Sequence, residues 1–491
     1  MKKNMSPANE VIKKYNKLSY LLIAFHQGVS YISQLAVQYF FKDELKIEPH
    51  HLAQINSIIH IPWAIKPILG LITDLLPIFG YRRKVYIILC GIINLMCWLY
   101  MTFYTNTATM ACVMIFLINL TLSFCSVLGE AVVVELSKME TEDQESKAKD
   151  FVSLFFLART VGELLSSYLK GLFVDIMPLR TIFFISSFIP VLLVISGFML
   201  IENKSNESNS LQEEEQTNLM ERQSESQSEP TQPNPQTKNL FQEFMTFICQ
   251  KYILIPLMFI IVFKATPSYY DPFFYFITNE LKINATDLGK ISFFSTIAIL
   301  IAILVYKTYM KNFNFKNMII IGTIISFVIS FACFLLVLRV NIKMGISDFW
   351  LLLFTNSFLS MVGEFVLLPI LSLACVLCPK NLEGTVYSVF MSSLNLGGIL
   401  SSLNGGILTS MMGISTKNYD NLHWLVFVSK ISSLLPLPML CCIDDKYFHS
   451  EKKEEKKQIC ESTQCDKTSI PSEIEEDKSK NPDMHEKIEI K

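Results

Sequence analysis

The sequence predicts an all-α membrane protein of about twelve transmembrane helices, arranged as two six-helix halves. The first observation is composition: 51% of the 491 residues are hydrophobic, 18% are charged, and 37 are phenylalanine. With a mean hydropathy of +0.38, the chain is too apolar for a water-soluble globule. The second observation is that the apolar stretches are long enough to cross about 30 Å of hydrocarbon. The third is the absence of period-two alternation, which excludes a barrel and leaves helices as the spanning elements.

The charges divide the chain into segments, although the net charge is only −2. Predicted spans lie near residues 18–41, 51–76, 84–104, 108–137, 151–174 and 181–201, and then near 251–278, 287–307, 317–338, 350–377, 384–412 and 422–443. The domains are therefore an N-terminal segment (1–17), two six-helix bundles (18–201 and 251–443), a linker (202–250) and a tail (444–491). The linker is rich in Glu, Gln, Ser, Asn and Pro and the tail in Lys and Glu, so we expect the tail and most of the linker to be disordered.

The loop charges predict the orientation of the chain. Lysine and arginine are more frequent in the short loops on the side of the N-terminus, and these residues resist translocation. Both termini, the linker and the tail are therefore expected in the cytosol, and the plasma membrane is the default location.

A motif near the second span narrows the class of membrane protein. Two halves of six helices joined by a long linker are typical of the major facilitator fold, although another twelve-helix bundle would share this layout. The motif consists of Gly70, Asp74, and the run Gly-Tyr-Arg-Arg-Lys at residues 80–84. It is similar to the loop signature of major facilitators, in which the glycines allow close helix contact while the acid and the basic residues form a gate.

Three runs of residues resemble the folate-biopterin transporter family, and the resemblance as a whole spans nearly all of the membrane core. They are residues 62–83 (with Pro-Trp-Ala-Ile-Lys-Pro at 62–67), residues 265–281 and residues 377–398. The resemblance implies transport of folates or pterins. Three positions depart from the family pattern. In the fourth span, Ser126 and Glu130 stand where the family has two aspartates, ahead of Glu135, and in the fifth span Glu163 stands in place of a small residue beside Arg159. These departures predict that substrate preference differs from that of relatives.

Ionisable residues inside the spans are the candidate functional residues, because each costs at least about 2.5 kcal/mol to insert and therefore tends to face a polar cavity. The predicted substrate-binding residues are Glu130, Arg159, Lys264, Glu364, Tyr270 and Phe274. The predicted proton-coupling or gating residues are Lys66, Asp74, Glu135, Arg82 and Arg83. Glu163, Asp271 and His60 are further ionisable groups in the spans. Arg159 and Glu163 are four residues apart, so mutual neutralisation is the alternative for that pair. Lys66 and Asp74 lie nearer the inner gate, where a structural salt-bridge role is the alternative to substrate contact.

The chemistry of a folate explains why both signs of charge would be needed. The amino-oxo edge of a pterin offers two donors to one carboxylate, and the glutamate arm carries carboxylates that need cations. We expect Glu130 or Glu364 to bind the pteridine, Lys264 and Arg159 to bind the glutamate arm, and Tyr269, Tyr270 or Phe274 to stack on the ring. Either glutamate could also carry a coupled proton, because burial favours the neutral acid.

The sequence thus predicts a secondary active, proton-coupled transporter of folates, pterins and p-aminobenzoate-like precursors, working by alternating access. Its partners would be the substrate, protons and the lipid bilayer, with no cofactor and no nucleic acid. No nucleotide-binding or hydrolase motif indicates a pump or an enzyme. The alternatives are a facilitator of another organic anion or a nucleoside-like solute, and a membrane sensor that does not transport.

Overall fold

A computed structural model describes residues 7–138, 144–202, 250–310, 313–377 and 383–443. Within these ranges the side chains of residues 7–10, 74, 131, 133–138, 144–153, 372, 374–377 and 383–387 lie outside the description. The predicted linker, except for its first and last residues, and the whole predicted tail also lie outside the described residues. The described residues form helices and no β-strand.

The first half contains six helical rows. They are α1 (Pro7–Val29, continuing through Ser30–Ser33 and Gln34–Tyr39 to Phe40–Glu44), α2 (Pro49–Ile59, Ile61–Ala64 and Lys66–Leu75), α3 (Lys84–Phe103), α4 (Ala108–Lys138), α5 (Gln144–Ile176) and α6 (Leu179–Ser186 and Val191–Met199). The row α1 begins at Pro7, inside the segment that the sequence assigns to the N-terminus. The predicted boundary at residue 18 therefore reflects where the apolar stretch begins, and the helix starts earlier.

The second half repeats this arrangement. Its rows are α7 (Lys251–Lys264 and Tyr270–Asn279), α8 (Ala285–Val305, extended by Tyr306–Met310), α9 (Phe315–Val337), α10 (Asp348–Leu377), α11 (Glu383–Met411) and α12 (Leu422–Ser432 and Leu437–Cys442). We call the side where α2 turns into α3 the linker side, because α6 ends and α7 begins there, and the opposite side the far side.

Seven rows are long and apolar enough to cross a membrane by length and composition alone: α3, α4, α6, α8, α9, α10 and α12. The other five, α1, α2, α5, α7 and α11, are interrupted or more polar. Proline explains the interruptions of two of these rows, since it has no backbone N–H to donate and clashes with the preceding turn. Pro62 and Pro67 lie at the breaks in α2, and Pro267 lies in the break of α7.

The two halves meet closely on the far side. A Cβ atom at Gly171 of α5 would collide with the backbone of Ala285 and would lie 2.7 Å from Cα of Gly289 in α8. Asp175, at the end of α5, accepts hydrogen bonds from the N–H groups of Ala285 and Thr286 at 3.1 and 2.7 Å. Small residues thus allow α5 and α8 to approach until their backbones touch.

A second contact closes the same side. Glu48, before α2, accepts hydrogen bonds from the backbone N–H and the hydroxyl of Thr416, between α11 and α12, at 2.9 and 2.8 Å. The hydroxyl of Tyr275 donates to the carbonyl of Ile47 at 2.6 Å. These hydrogen bonds between the halves close the far side.

Candidate substrate cavity and gate

The break in α7 creates the wall of a cavity. Residues 265–269 leave the helical conformation, so several carbonyl oxygens lose their partners within the helix. Asn404 of α11 donates to the carbonyl of Ala265 at 2.9 Å, and Ser429 of α12 donates to the carbonyl of Pro267 at 2.6 Å. Irregular backbone at membrane depth is tolerated only where such groups replace the lost bonds or where it lines a polar cavity.

A cavity of about 500 Å³ lies against this break. Residues of α1 and α5 from the first half and of α7, α8, α9, α10, α11 and α12 from the second half line it. Tyr269, Tyr270, Phe273 and Phe274 form an aromatic wall. Tyr270 is 54% exposed and accepts a hydrogen bond from Gln38 at 3.4 Å, whereas Phe274 is buried and packs edge-on against Tyr39. The volume suits a small organic molecule with a flat ring.

Two lysines line the cavity from opposite halves. Lys170 of α5 donates to the side-chain oxygen of Gln34 at 3.2 Å. Lys430 of α12 places its ammonium 5.2 Å from the ring centroid of Tyr269. Among the described residues, no carboxylate lies within ion-pair distance of either ammonium. At 1.5 Å per residue, Lys170 lies about 9 Å and Lys430 about 12 Å from the far end of its helix.

Four of the charges in the spans lie closer to the linker side than the two lysines. Arg159 donates to the hydroxyl of Tyr31 at 3.4 Å and interacts electrostatically with Glu163. Lys264 interacts electrostatically with Glu364, which in turn interacts with Glu163. The carboxylates of Glu163 and Glu364 belong to different halves and repel one another, and we call Arg159, Glu163, Lys264 and Glu364 the central charge group.

The central charge group is adjacent to the cavity. Asn356 and Ser360 of α10 line the cavity, and Glu364 follows them at the same spacing of four residues, so the three lie on one helix face. Glu163 also interacts electrostatically with Lys170. Among the described residues, Arg159 and Glu163 form no ion pair. They interact electrostatically at longer range.

Glu130 interacts electrostatically with Arg159 and also forms an ion pair with Lys66. Lys66 of α2 is buried, and its ammonium donates to Ser126 at 2.9 Å and to Glu130 at 3.2 Å. Ser126 also donates to Glu130, at 3.0 Å, and the ammonium lies 5.4 Å from the ring centroid of Trp63. The serine that replaces the aspartate of the family pattern therefore belongs to this triad of Lys66, Ser126 and Glu130.

The loop between α2 and α3 carries two of the predicted gating residues, Arg82 and Arg83. The backbone N–H groups of Arg82, Arg83 and Lys84 donate to the carboxylate of Glu202 at 2.8, 3.1 and 3.0 Å. Glu202 thereby caps the N-terminus of α3, where a negative charge is favourable. The side chains of Asp74 and Glu135 lie outside the described residues.

Sequence reasoning missed Lys170, Lys430 and Glu202. The two lysines fall inside the predicted spans 151–174 and 422–443, so the rule that selected Lys264 selects them as well. Their positions near the far ends of the spans resemble those of lysines that extend to the membrane surface. Glu202 lies at the start of a polar linker, and no local pattern indicates that it folds back onto α3.

A cavity between two six-helix halves, closed on one side, lined by two lysines and adjacent to a group of charges of both signs, defines a membrane transporter of the major facilitator fold. The sequence model of the BT1 family matches residues 27–463, and the chain belongs to that family. It is 33% identical over 423 residues to a folate-biopterin transporter of Synechocystis sp., covering 86% of this chain and 80% of the relative. It is 29% identical to folate transporter 1 of Plasmodium falciparum, covering 89% of this chain and 81% of the relative.

Solved structures confirm the predicted fold. The nucleoside transporter NupG superposes with a TM-score of 0.63 at 14% identity, covering 87% of this chain and 99% of that chain. The POT family transporter PepTSo superposes with a TM-score of 0.62 at 11% identity, covering 88% and 98%. At these identities the likeness concerns the fold alone. The predictions of the family, of a multi-pass membrane transporter and of a protein that is not an enzyme are confirmed.

Proposed function

We propose that this transporter carries folates or pterins by alternating access, coupled to protons, and that it also accepts p-aminobenzoate-like precursors. The observation that carries this proposal is the cavity, where an aromatic wall lies beside two lysines with no described carboxylate partner. A flat ring and a dicarboxylate arm match these two features. The printed names of the relatives agree with this substrate class.

The residues divide into roles by position. Tyr270 and Phe274 contact the ring system, and Glu364, one turn below Ser360, accepts the donor pair of the pteridine. Lys170 and Lys430 bind the carboxylates of the glutamate arm at the far end of the cavity. Arg159 and Lys264 are the two cations of the central charge group, and they attract the anionic substrate from the linker side.

The remaining predicted residues form the gate. We assign Lys66, Glu130, Asp74, Glu135, Arg82 and Arg83 to the linker side, where α2, α4 and the loop after α2 meet. Glu130 is held by Lys66 and Ser126, so it serves the gate in this proposal and contacts no substrate. The plasma membrane and cytosolic termini remain predictions from the loop charges.

Counterflow in proteoliposomes tests the function. Vesicles loaded with unlabelled folate should take up labelled folate, and external biopterin or p-aminobenzoate should compete while a nucleoside should not. Competition by nucleosides alone would indicate the nucleoside-like alternative. Competition by simple organic anions but not by pterins would favour the general anion alternative, and binding without counterflow would favour the sensor.

A further inference from the structure

One buried carboxylate is not used in the proposed binding of substrate. Asp271 lies in the first turn of the second segment of α7 and is 3% exposed. Its neighbours Tyr270, Phe273 and Phe274 line the cavity. Asp271 therefore lies directly behind the aromatic wall.

A hydrogen bond joins Asp271, in the second half, to the first half. Asn56 of α2 donates its side-chain N–H to Oδ1 of Asp271 at 2.8 Å. Among the described residues, this is the one hydrogen-bond donor to the carboxyl group, and no cation lies within ion-pair distance of it. A buried carboxylate normally needs a cation or several donors to remain charged, whereas a neutral carboxylic acid is less costly to bury, and its carbonyl oxygen can accept the hydrogen bond from Asn56.

The titratable groups around Asp271 do not compensate its charge. On α7 itself, Tyr270 and Tyr275 interact with it electrostatically. From α2, His60 follows Asn56 by one turn and contacts the carbonyl of Asn56 with its ring nitrogen at 2.7 Å. From α1, Tyr39 packs on Phe274. Lys170 and Lys430 lie at the cavity and form no ion pair with Asp271.

We propose that Asp271 is the group that carries the coupled proton. When α2 and α7 separate on the far side, water reaches the carboxylate, which binds a proton to form a neutral carboxylic acid. The neutral acid can then be buried against Asn56 as the far side closes. Loss of the proton in the closed form would leave a buried charge with one donor, so the proton leaves only toward the cavity and the linker side. Closure of the far side would thereby require protonation.

This inference rests on the proposed function, because it assigns the coupling step of the same transporter. Asp271→Asn mimics the protonated acid, so the far side should close without a proton. In proteoliposomes, we expect this variant to retain folate counterflow but to lose accumulation driven by a pH gradient. One pH unit supports up to about tenfold accumulation for one proton, and the variant should reach only the concentration ratio of passive equilibration.

Two further variants make the test specific. Glu280→Gln removes an exposed carboxylate that follows the same helical segment and should leave the accumulation unchanged. Asn56→Leu removes the hydrogen bond between the halves but leaves the titratable group, so accumulation driven by the gradient should persist.

The outcomes separate the two proposals. If wild-type vesicles show no counterflow, the proposed function is wrong. If they show counterflow without a response to the pH gradient, the function stands and the proton-carrying role of Asp271 is wrong. Full accumulation by Asp271→Asn would also overturn that role, as would loss of counterflow in a variant that still binds folate. If Asp271→Asn does not fold, Asp271→Glu replaces it in the test. Accumulation by Asp271→Glu supports the role of Asp271. Counterflow without accumulation in Asp271→Glu overturns that role.

Discussion

The triad of Lys66, Ser126 and Glu130 differs from the cavity in how its buried charge is paired. In the triad, the buried ammonium has a hydroxyl and a carboxylate as partners. In the cavity, among the described residues, Lys170 hydrogen-bonds to the neutral oxygen of Gln34 and interacts with Glu163 beyond ion-pair distance, and Lys430 lies over the face of an aromatic ring. A paired charge stabilises its surroundings, whereas a cation without an acid gains most from an incoming anion. On this basis we propose that the charges of the triad are structural and that the two cavity lysines bind substrate.

The largest effect should come from opening the cavity to the far side. Gly171→Leu places a side chain against the backbone of Ala285 and Gly289, so α5 and α8 cannot approach as described. We expect the rate of counterflow to fall by more than about tenfold, because the far side cannot close. Counterflow and folate binding should be measured together, with Gly398→Leu as the matched control.

At Gly398 an added Cβ atom meets no atom within 4 Å. If Gly171→Leu transported normally, the contact between α5 and α8 would not be the far gate. A loss of folding in Gly171→Leu alone, seen as aggregation in detergent, would assign the contact to stability.

A second prediction concerns the two cavity lysines. A hydrogen bond to a charged group contributes about 1.5–3 kcal/mol, and 1.4 kcal/mol corresponds to a tenfold change in affinity. Lys170→Gln and Lys430→Gln should therefore each raise the KM for folate about tenfold or more. If each lysine binds a separate carboxylate of the glutamate arm, the effects in the double variant should add.

The matched control for these lysines is Lys417→Gln, which changes an exposed lysine outside the cavity. Biopterin carries no glutamate arm, so its KM should change little in either cavity variant. Equal losses for folate and biopterin would contradict the assignment of Lys170 and Lys430 to the carboxylates.

Much of this fold was predictable, and the reasons differ by region. The rows α3, α4, α8, α9 and α10 are long and apolar, so their positions follow from hydropathy. Proline in the sequence indicates the breaks in α2 and α7. The sequence does not indicate which polar groups bond to the carbonyl oxygens at the break in α7, because Asn404 and Ser429 are distant in sequence from residues 265–267.

The candidate site was only partly predictable for a related reason. The cost of burying charge selects Lys66, Glu130, Lys264 and Glu364 alike, and the sequence alone does not say which charges are paired. Pairing depends on how α2 packs against α4 and how α7 packs against α10. Tyr270 and Phe274 line the cavity, while the placement of Glu130 beside Lys66 becomes evident only from the packing of helices.

A third prediction tests the paired region by removing one partner at a time. Glu130→Gln leaves the buried ammonium of Lys66 with weaker acceptors, which should destabilise the protein by about 1–3 kcal/mol. Lys66→Met removes the buried cation and leaves a half-exposed carboxylate that water can solvate, so it should cost less. Thermal unfolding in detergent measures both, and a larger loss in Lys66→Met would contradict the account of the triad.

The smallest effect should come from the cap on α3, which joins the end of the first half to the loop after α2. Glu202 accepts hydrogen bonds from three backbone N–H groups, and loss of a helix N-cap costs about 1 kcal/mol. Glu202→Ala should therefore lower the thermal unfolding temperature modestly, while Glu280→Ala, at an exposed site, should leave it unchanged. Because the hydrogen bonds described at Glu202 come from backbone N–H groups, the KM for folate should stay near the wild-type value. A rise in KM as large as that in Lys430→Gln would mean that the cap also shapes the substrate cavity, and the separation between structural and substrate-binding charges would fail.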